Sequence, residues 1–355
     1  MAGLAAAAQA TELGAHALVL EKGPVPGGSM RLSSGVVWRF RDRDTFRAEC
    51  PGGDPSLQAL IVDRLDDDLA WLEALGAPVR ERCTANSLTE GRRFDVDGLT
   101  EALVRRVPEL RVGKPLKSLP PGTPVVLATG GFQGDRELVR RFVTPEADCL
   151  WLRANPWSSG DGLRLALDAG AATTAAMDEF YGRNLPAPPA IVEDEDFVRL
   201  SQLYASHARI QAVGGHAYPA ERIAWHESDV AQWVARQPGA RAWYIVHPSR
   251  FESPAGAGRT VRESIEAAKA AGGQVEEGET GAAVLVAPGI TSTLGGIQVD
   301  REARVIGRAG KPVPGLFVAG GDAGGISLGG YSSGLAAALV LGRAAARSAL
   351  GACPA

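Results

Sequence analysis

The first 21 residues hold the feature that most constrains the fold: a helix of small residues followed at once by an aliphatic strand and an acid. Residues 5–13 favour a helix that ends at Gly14. Residues 17–20 are typical of a short aliphatic strand, and Glu21 follows them directly. Gly3, in the first turn of the helix, permits close packing of helix and strand backbones. This order predicts the second half of a dinucleotide-binding βαβ unit, in which the acid accepts the hydroxyls of an adenosine ribose.

The first half of such a unit, a strand and the first two glycines of G-x-G-x-x-G, does not precede Gly3. In a doubly wound sheet that strand is central and has neighbours on both sides. Two interpretations stay open. Either Met1 is an internal methionine of a longer chain, or the chain is truncated and binds its cofactor weakly or not at all.

Composition narrows the class of protein. With 355 residues, 45% of them hydrophobic and 22% charged, the chain is expected to be globular, as one large domain with an insertion or as two domains. A net charge of -4 predicts neither a nucleic-acid nor a membrane partner. Charge-free apolar runs of about 18 residues and a basic leader are both missing, so we expect a cytoplasmic protein. The four cysteines (Cys50, Cys83, Cys149, Cys353) are far apart, which predicts reduced structural thiols and no metal site.

The distribution of glycine indicates how the chain is organised. Glycines cluster at 23–35, 130–134, 160–170, 295–296 and 320–334. Residues 55–76 have apolar positions at helical spacing, and 97–107 indicate another helix. From about 183 to 289 the glycine turns become rare while aromatic residues, His and Pro increase. We therefore predict an insertion in a fold whose two ends belong together.

The loop that follows Glu21 is rich in glycine and serine. Gly27, Gly28 and Ser29 can bring backbone N–H groups and a hydroxyl to a pyrophosphate. Ser33, Ser34 and Gly35 can approach a flat ring. The alternative is a mobile surface loop with no ligand.

Two later segments place glycines at strand ends. VVLATGGF (125–132) is a buried strand that ends in Thr-Gly-Gly, at the sheet edge where cofactors bind in open α/β folds. In 314–346 a strand ends at Ala319 and Asp322 is placed to bind a polyol chain. A helix begins near Ser332 or Ser333, and its N-terminus can stabilise the negative charge that a flavin gains at N1 and C2=O on reduction.

EKGPVPGGS, ATGGF, GDGLRLALDAGA, TLGGIQVD and PGLFVAGGDAGG occur in the order and spacing of one family. The chain resembles the flavoprotein subunits of fumarate reductases and succinate dehydrogenases, with their 3-ketosteroid and tricarballylate dehydrogenase relatives. The resemblance implies an α/β, doubly wound (Rossmann-like) FAD-binding domain at 1–182 and 290–355, interrupted by an α+β capping domain at 183–289. Because the loop 23–35 has no His for covalent attachment, we expect non-covalent FAD.

On this resemblance Glu21 binds the adenosine ribose and Asp322 the ribityl chain. The expected cofactor-binding residues are Gly3, Glu21, Lys22, Gly27, Gly28, Ser29, Ser33, Ser34, Gly35, Ala128, Thr129, Gly130, Gly131, Asp161, Gly321, Asp322, Ser332, Ser333 and Leu335. No metal ligands are expected.

The chain departs from the family's fumarate reductases at substrate positions. Their His-Thr-Met-Gly-Gly run is Ser-Thr-Leu-Gly-Gly here (292–296), and their substrate-binding Arg is replaced by Ser327. The cap motif G-x-R-F-x-x-E is GGHAYPAE (214–221), and the proton-delivering Arg falls near Trp225 and His226. Fumarate or succinate is therefore not the expected substrate.

Tyr331 and His226 are the candidate catalytic residues, because each is placed where a side chain can handle a proton during hydride transfer. The alternative for Tyr331 is that it only packs on the ring, and the alternative for His226 is a core or surface position without a role in the reaction. His216 and Tyr218 are more typical of structural positions. We predict an FAD-dependent dehydrogenase or ene-reductase for a small organic substrate, with an electron donor or acceptor that the sequence does not identify. The alternative is a degenerate FAD fold that acts as a binding protein.

Overall fold

The computed structural model describes residues 1–219 and 223–351. The helices are α1 (Ala2–Glu12), α2 (Arg43–Glu49), α3 (Pro55–Ala74), α4 (Val96–Val104), α5 (Arg136–Phe142), α6 (Asp161–Asp168), α7 (Ser228–Ala235), α8 (Val261–Ala270) and α9 (Gly334–Ala349). The strands are β1 (Leu18–Leu20), β2 (Val36–Phe40), β3 (Val79–Glu81), β4 (Thr89–Phe94), β5 (Glu109–Arg111), β6 (Val125–Leu127), β7 (Trp151–Leu152), β8 (Phe180–Pro186), β9 (Arg209–Ala212), β10 (Ala242–Val246), β11 (Pro254–Ala255), β12 (Arg259–Thr260), β13 (Val275–Gly278), β14 (Gly281–Thr293), β15 (Arg304–Ile306) and β16 (Pro312–Val318).

The chain divides into two compact units. Unit 1 contains residues 1–135, 155–179 and the chain from Thr293 onward. Unit 2 contains residues 136–154 and 180–292, so the segment 183–289 that was predicted as an insertion lies within it.

Unit 1 carries the parallel strand pairs expected of an α/β fold. β1 pairs with β5, with Leu18 opposite Glu109, and β6 pairs with β16, with Val125 opposite Leu316. The two ladders are separate within residues 1–219 and 223–351. β15 extends the second ladder antiparallel to β16, and an antiparallel sheet β2-β4-β3 lies in the same unit.

Helices α1 and α9 pack closely because their contact faces are small. Ala5 and Ala8 are fully buried on α1. On α9, a Cβ on Gly342 would lie 2.6 Å from the Ala2 carbonyl oxygen, so only glycine permits this approach. The predicted amphipathic helix is α3, whose N-terminus is capped by Asp54 through bonds from the Ser56 and Leu57 amides at 2.7 and 3.1 Å.

A buried ion pair joins three helices of unit 1. The Arg343 guanidinium donates to the Asp68 carboxylate and, at 2.8 Å, to the amide oxygen of Gln9. It also lies 4.3 Å from the ring centre of Trp71. Burial raises the pKa of Asp68 to about 6, although Arg343 opposes the shift. Arg343 therefore supplies the positive charge that compensates the buried carboxylate of Asp68.

Unit 2 is built on a sheet in the order β13-β14-β10-β9, with β7 and β8 also paired to β14. β10 runs antiparallel to both neighbours, with Tyr244 opposite Val284 and Ile210. α7 and α8 contribute Val230, Val234, Val261 and Ile265 to the core of this unit. The core also contains the fully buried Tyr204.

The three cysteines within the described residues are free thiols. Cys50 is buried and free, Cys83 and Cys149 are exposed and free, and Cys353 lies outside the described residues. In the part of the chain that the structure describes, no three His, Cys, Asp or Glu side chains are grouped so as to hold a metal ion. No helix within 1–219 and 223–351 has the length and apolarity needed to span a membrane.

Candidate active site

The acid predicted to bind ribose lies at the end of β1 and is held by the following turn. The Glu21 backbone N–H donates to the Arg111 carbonyl at 2.9 Å, which continues the β1–β5 ladder. One Glu21 carboxylate oxygen accepts from the Gly23 amide at 2.7 Å. A carboxylate has about four acceptor positions, so positions remain for ribose hydroxyls.

Lys22 and Asp161 connect this turn to the start of α6. The Lys22 ammonium lies 2.8 Å from the Asp161 carboxylate and donates to the Ser159 hydroxyl at 2.5 Å. The amide of Gly162 donates to the Thr129 hydroxyl at 3.0 Å. The chain thus brings Lys22, Asp161 and Thr129, which were predicted separately, into one hydrogen-bonded region.

Gly27, Gly28 and Ser29 form the predicted glycine turn. Gly27 has φ 111° and Gly28 φ 55°, both in the left-handed region that favours glycine. The Ser29 hydroxyl accepts from the Asn155 side-chain amide at 2.6 Å. Its acceptor capacity is therefore partly used inside the protein, whereas the backbone amides of the turn are the groups suited to phosphate oxygens.

The next part of the loop has internal partners. The Ser33 hydroxyl donates to the Met30 carbonyl at 2.7 Å and accepts from the Gly35 amide at 3.1 Å. A Cβ on Gly35, whose φ is 73°, would overlap the Phe94 carbonyl. Ser34 is exposed. The structure thus gives Gly35 a packing reason, and contact of these three residues with a ring stays a prediction.

Asp322 joins the two strand ends of the second parallel ladder. Its buried carboxylate accepts from the Thr129 amide, from the Thr129 hydroxyl at 2.9 Å and from the Gly131 amide at 2.9 Å. Burial raises the pKa of Asp322, and the hydrogen bonds from Gly131 and Thr129 oppose that shift. A further hydrogen bond comes from the Gly130 amide, so the acceptor positions of Asp322 are largely used and its carboxylate primarily fixes the loops.

These loops approach each other through glycine. A Cβ on Gly321 would lie 2.8 Å from the Gly130 carbonyl oxygen, and one on Gly131 would lie 3.0 Å from the Gly321 carbonyl oxygen. A Cβ added to Gly3 would lie 3.5 Å from the Cβ of Ala128, which is an ordinary van der Waals contact. The predicted glycines are therefore close together at the carboxyl ends of β6 and β16.

Helix α9 begins where the sequence predicted. Ser333 is its N-cap and accepts from the Ala336 amide at 3.3 Å and from the Trp38 amide at 3.4 Å. Ser332 is buried, and its hydroxyl is hydrogen-bonded to that of Ser327. Gly334 is exposed, and an added Cβ would meet nothing within 4 Å. Leu335 is partly buried. The positive end of α9 therefore faces open space.

Tyr331 precedes this helix and is held on both sides. Its ring is edge-on to Trp38 with centres 5.6 Å apart. Its backbone N–H bonds to the Cys50 thiol, and burial raises the pKa of that thiol to about 12. Cys50 is therefore a neutral packing group that orients the backbone of Tyr331.

His226 lies in unit 2, immediately before α7. It is 5% exposed, and its Nδ1 accepts from the Ser228 amide at 3.2 Å. A neutral ring with Nδ1 as acceptor carries its proton on Nε2. Tyr218 donates to Asp229 at 2.8 Å, and burial raises the pKa of Tyr218. His216 is exposed, and Glu221 of the cap motif lies outside the described residues.

Sequence reasoning missed Glu227, the residue after His226. Its backbone is left-handed (φ 48°), and its buried carboxylate accepts from the Ala205 amide at 3.0 Å. Burial raises the pKa of Glu227 to about 8, opposed by Arg183. A single buried carboxyl near Arg183 produces no helical or strand periodicity in the sequence, so no pattern indicates that Glu227 is buried.

The residues of unit 1 fit FAD. They offer a strand-end acid with spare acceptor positions, a glycine turn with left-handed backbone, a buried acid at the ends of two strands and a helix whose first residue is exposed. These suit, in turn, a ribose, a pyrophosphate, a polyol and a ring that gains negative charge.

Comparison with known proteins agrees with this description. A probable fumarate reductase of Shewanella frigidimarina is 22% identical over 414 residues, which cover 92% of this chain and 68% of the relative. The solved open conformation of a flavocytochrome c3 fumarate reductase has a TM-score of 0.72 at 21% identity and covers 99% of this chain and 76% of its own. A 3-ketosteroid Δ4-(5α)-dehydrogenase from Rhodococcus jostii RHA1 has a TM-score of 0.70 at 19% identity, with 98% and 94% covered. These likenesses show the fold.

The family model described as an FAD binding domain matches residues 1–111 and 122–337. The predictions of an FAD-binding α/β fold, of FAD as cofactor and of a flavin-dependent oxidoreductase are thereby confirmed. The chain belongs to the FAD binding domain family.

Proposed function

We propose that this protein moves a hydride between flavin N5 and a carbon–carbon bond next to a carbonyl or carboxylate of a small organic substrate other than fumarate or succinate. Bound FAD supplies the hydride chemistry. The protein's own residues supply binding, orientation and the proton that accompanies the hydride.

The observation that carries the proposal is the neutral pair Ser327–Ser332 beside Tyr331. Both serines are buried, at 6% and 7% exposure, and their hydroxyls bond to each other. Buried charge is costly without a partner, and two neutral hydroxyls therefore favour an uncharged carbonyl group over a second carboxylate. The relatives named for steroid substrates act on such carbonyl compounds, which supports an enone or ketone here.

Tyr331 is proposed as the group that handles the proton. A phenol can donate a hydrogen bond to a carbonyl oxygen or give its proton to the neighbouring carbon. Trp38 and Cys50 hold its ring and backbone, so its hydroxyl has a limited range of positions. The N-terminus of α9, two residues further on, stabilises negative charge on a reduced ring.

His226 is the second proposed proton carrier. With Nδ1 bonded to the Ser228 amide, its neutral ring carries its proton on Nε2. Its burial keeps bulk water from replacing that proton quickly. Tyr331 and His226 are therefore to be tested separately.

The experiment is anaerobic stopped-flow reoxidation of the chemically reduced holoprotein. We expect 2-cyclohexenone or 4-androstene-3,17-dione to reoxidise the flavin and fumarate not to do so. Tyr331→Phe is expected to slow reoxidation about 100-fold while leaving the flavin spectrum unchanged. His226→Gln serves as the parallel variant.

Faster reoxidation by fumarate than by the enones contradicts the proposed substrate class. An unchanged rate in Tyr331→Phe with a slow His226→Gln assigns the proton to His226. A holoprotein with an intact flavin spectrum that no enone, ketone or unsaturated acid reoxidises supports the alternative, a binding protein with an FAD fold.

A further inference from the structure

Trp157 is a large aromatic residue that remains exposed next to the acid at the end of β1. Its exposed fraction is 42%, and it lies in the loop between unit 1's Asn155 and helix α6. A single exposed aromatic residue is ordinary, so exposure alone assigns nothing. The contacts of the indole ring are more specific than its exposure.

The ring lies against the backbone of Gly23. A Cβ on Gly23 would be 2.7 Å from Cδ1 and 2.9 Å from Nε1 of Trp157, and 3.2 Å from the nearer Glu21 carboxylate oxygen. The φ of Gly23 is not in the left-handed region, so the backbone does not require glycine. The space for the Trp157 ring requires it, and that ring is thereby within a few ångströms of the Glu21 carboxylate.

The loop that carries Trp157 is fixed at both ends. The Asn155 side chain accepts from the Trp157 amide at 2.9 Å and donates to the Ser29 hydroxyl at 2.6 Å. On the other side, Lys22 donates to the Ser159 hydroxyl at 2.5 Å, and Ser159 donates its amide to the Trp157 carbonyl at 2.9 Å. The backbone that carries the exposed ring is therefore held in place by hydrogen bonds, which lowers the entropy cost of stacking a ligand on the ring.

We propose that Trp157, seated on Gly23, is the stacking platform for the adenine ring of FAD. Glu21 accepts from the adenosine ribose, and the adenine attached to that ribose comes within reach of a ring beside Glu21. An indole offers a flat apolar face to any purine. The platform makes the site selective for the dinucleotide over FMN, which lacks the adenylate. This inference rests on FAD binding and not on the proposed reaction.

The test is fluorescence titration of the apoprotein with FAD and with FMN, and competition of ADP against FAD. Trp157→Ala is expected to raise the Kd of FAD and of ADP about tenfold or more, with the Kd of FMN unchanged. Trp157→Phe keeps a stacking face and is expected to stay within about threefold of the wild type. Trp225→Ala is the matched control, since Trp225 is 43% exposed but lies in unit 2.

Gly23→Ala tests the seat of the ring. The added methyl must displace Trp157, so it is expected to raise the Kd of FAD in the wild type and to have little effect in Trp157→Ala. Thermal unfolding of each apoprotein checks that it folds.

Equal changes for FAD and FMN in Trp157→Ala overturn the proposal. So does an unchanged Kd of FAD in that variant, an equal loss in Trp225→Ala, or a wild-type protein on which ADP does not compete with FAD. An equal effect of Gly23→Ala in both backgrounds shows that the ring does not rest on Gly23 as described and also overturns it.

Discussion

Replacement of Asp322 by Asn is expected to destabilise the apoprotein strongly for so small a change. Asp322 is 2% exposed, and its Oδ2 accepts from the Thr129 amide while Oδ1 accepts from the Thr129 hydroxyl and the Gly131 amide, both at 2.9 Å. In the variant an NH2 group replaces Oδ2 and faces the Thr129 amide, so two buried donors oppose each other. The Thr129 hydroxyl and the Gly131 amide then donate to a neutral amide oxygen in place of a charged carboxylate.

The expected loss follows from the number of bonds affected. A hydrogen bond to a charged group contributes about 1.5–3 kcal/mol, and a buried donor left without an acceptor costs about 1–3 kcal/mol. One bond lost and two weakened give a decrease of about 2–4 kcal/mol in the free energy of unfolding. Asp322→Ala, which removes every hydrogen bond to this carboxylate, is expected to lose about 5 kcal/mol or more, a large part of the stability of an ordinary domain.

The measurement is urea unfolding of the apoprotein, so that loss of FAD adds nothing to the result. Asp300→Asn is the control, because Asp300 Oδ1 also accepts from two backbone amides, those of Glu302 and Arg304 at 3.0 and 2.9 Å, but its side chain is 22% exposed. It is expected to lose less than about 1.5 kcal/mol. An Asp322→Asn protein within about 0.5 kcal/mol of the wild type, or an equally large loss at Asp300, would refute the reasoning.

Two further predictions concern buried charges. Burial raises the pKa of Glu227 from 4.5 to about 8, so between these pH values the native state keeps a proton that the unfolded state releases. The contribution of this bound proton to the free energy of unfolding is complete below pH 4.5 and is lost as the pH rises to about 8. Relative to Glu227→Gln, the wild type should lose up to about 1.4 kcal/mol per pH unit between pH 6 and 8 in urea unfolding, and a constant difference would contradict this. Asp68→Ala leaves Arg343 buried without its carboxylate partner and should lower the free energy of unfolding by about 3–5 kcal/mol. The control is Asp63→Ala, at the half-exposed ion pair with Arg43, which should lower it by less than about 1 kcal/mol. A difference of less than about 1 kcal/mol between those two variants in thermal or urea unfolding would overturn the prediction.

The elements with a strong local pattern could be predicted from the sequence. Residues 55–76 gave α3 (Pro55–Ala74), because apolar residues at helical spacing follow an Asp-Pro start. The strand before Glu21 and the helix after Ser333 also lie where predicted, since both are bounded by residues with a physical role, an acid at a strand end and a serine cap.

The contacts between distant segments could not be predicted. Nothing in the local sequence of Asp322 shows that Thr129 and Gly131 use most of its acceptor positions, because those residues are almost 200 positions away. Gly35 was expected to be glycine so that the loop could approach a ring. The structure gives a second reason for glycine at this position, because a side chain would overlap the Phe94 carbonyl. Trp157 was not singled out, because an isolated aromatic residue in a loop has no periodicity.

The most direct test of the account is the visible absorption spectrum of the purified chain after incubation with FAD and removal of free cofactor. We predict a flavin spectrum that corresponds to about one FAD per chain, and release of that FAD into the supernatant when the protein is denatured, since 23–35 contains no His for a covalent bond. A folded chain that stays colourless at saturating FAD would contradict the central claim that these residues form an FAD site.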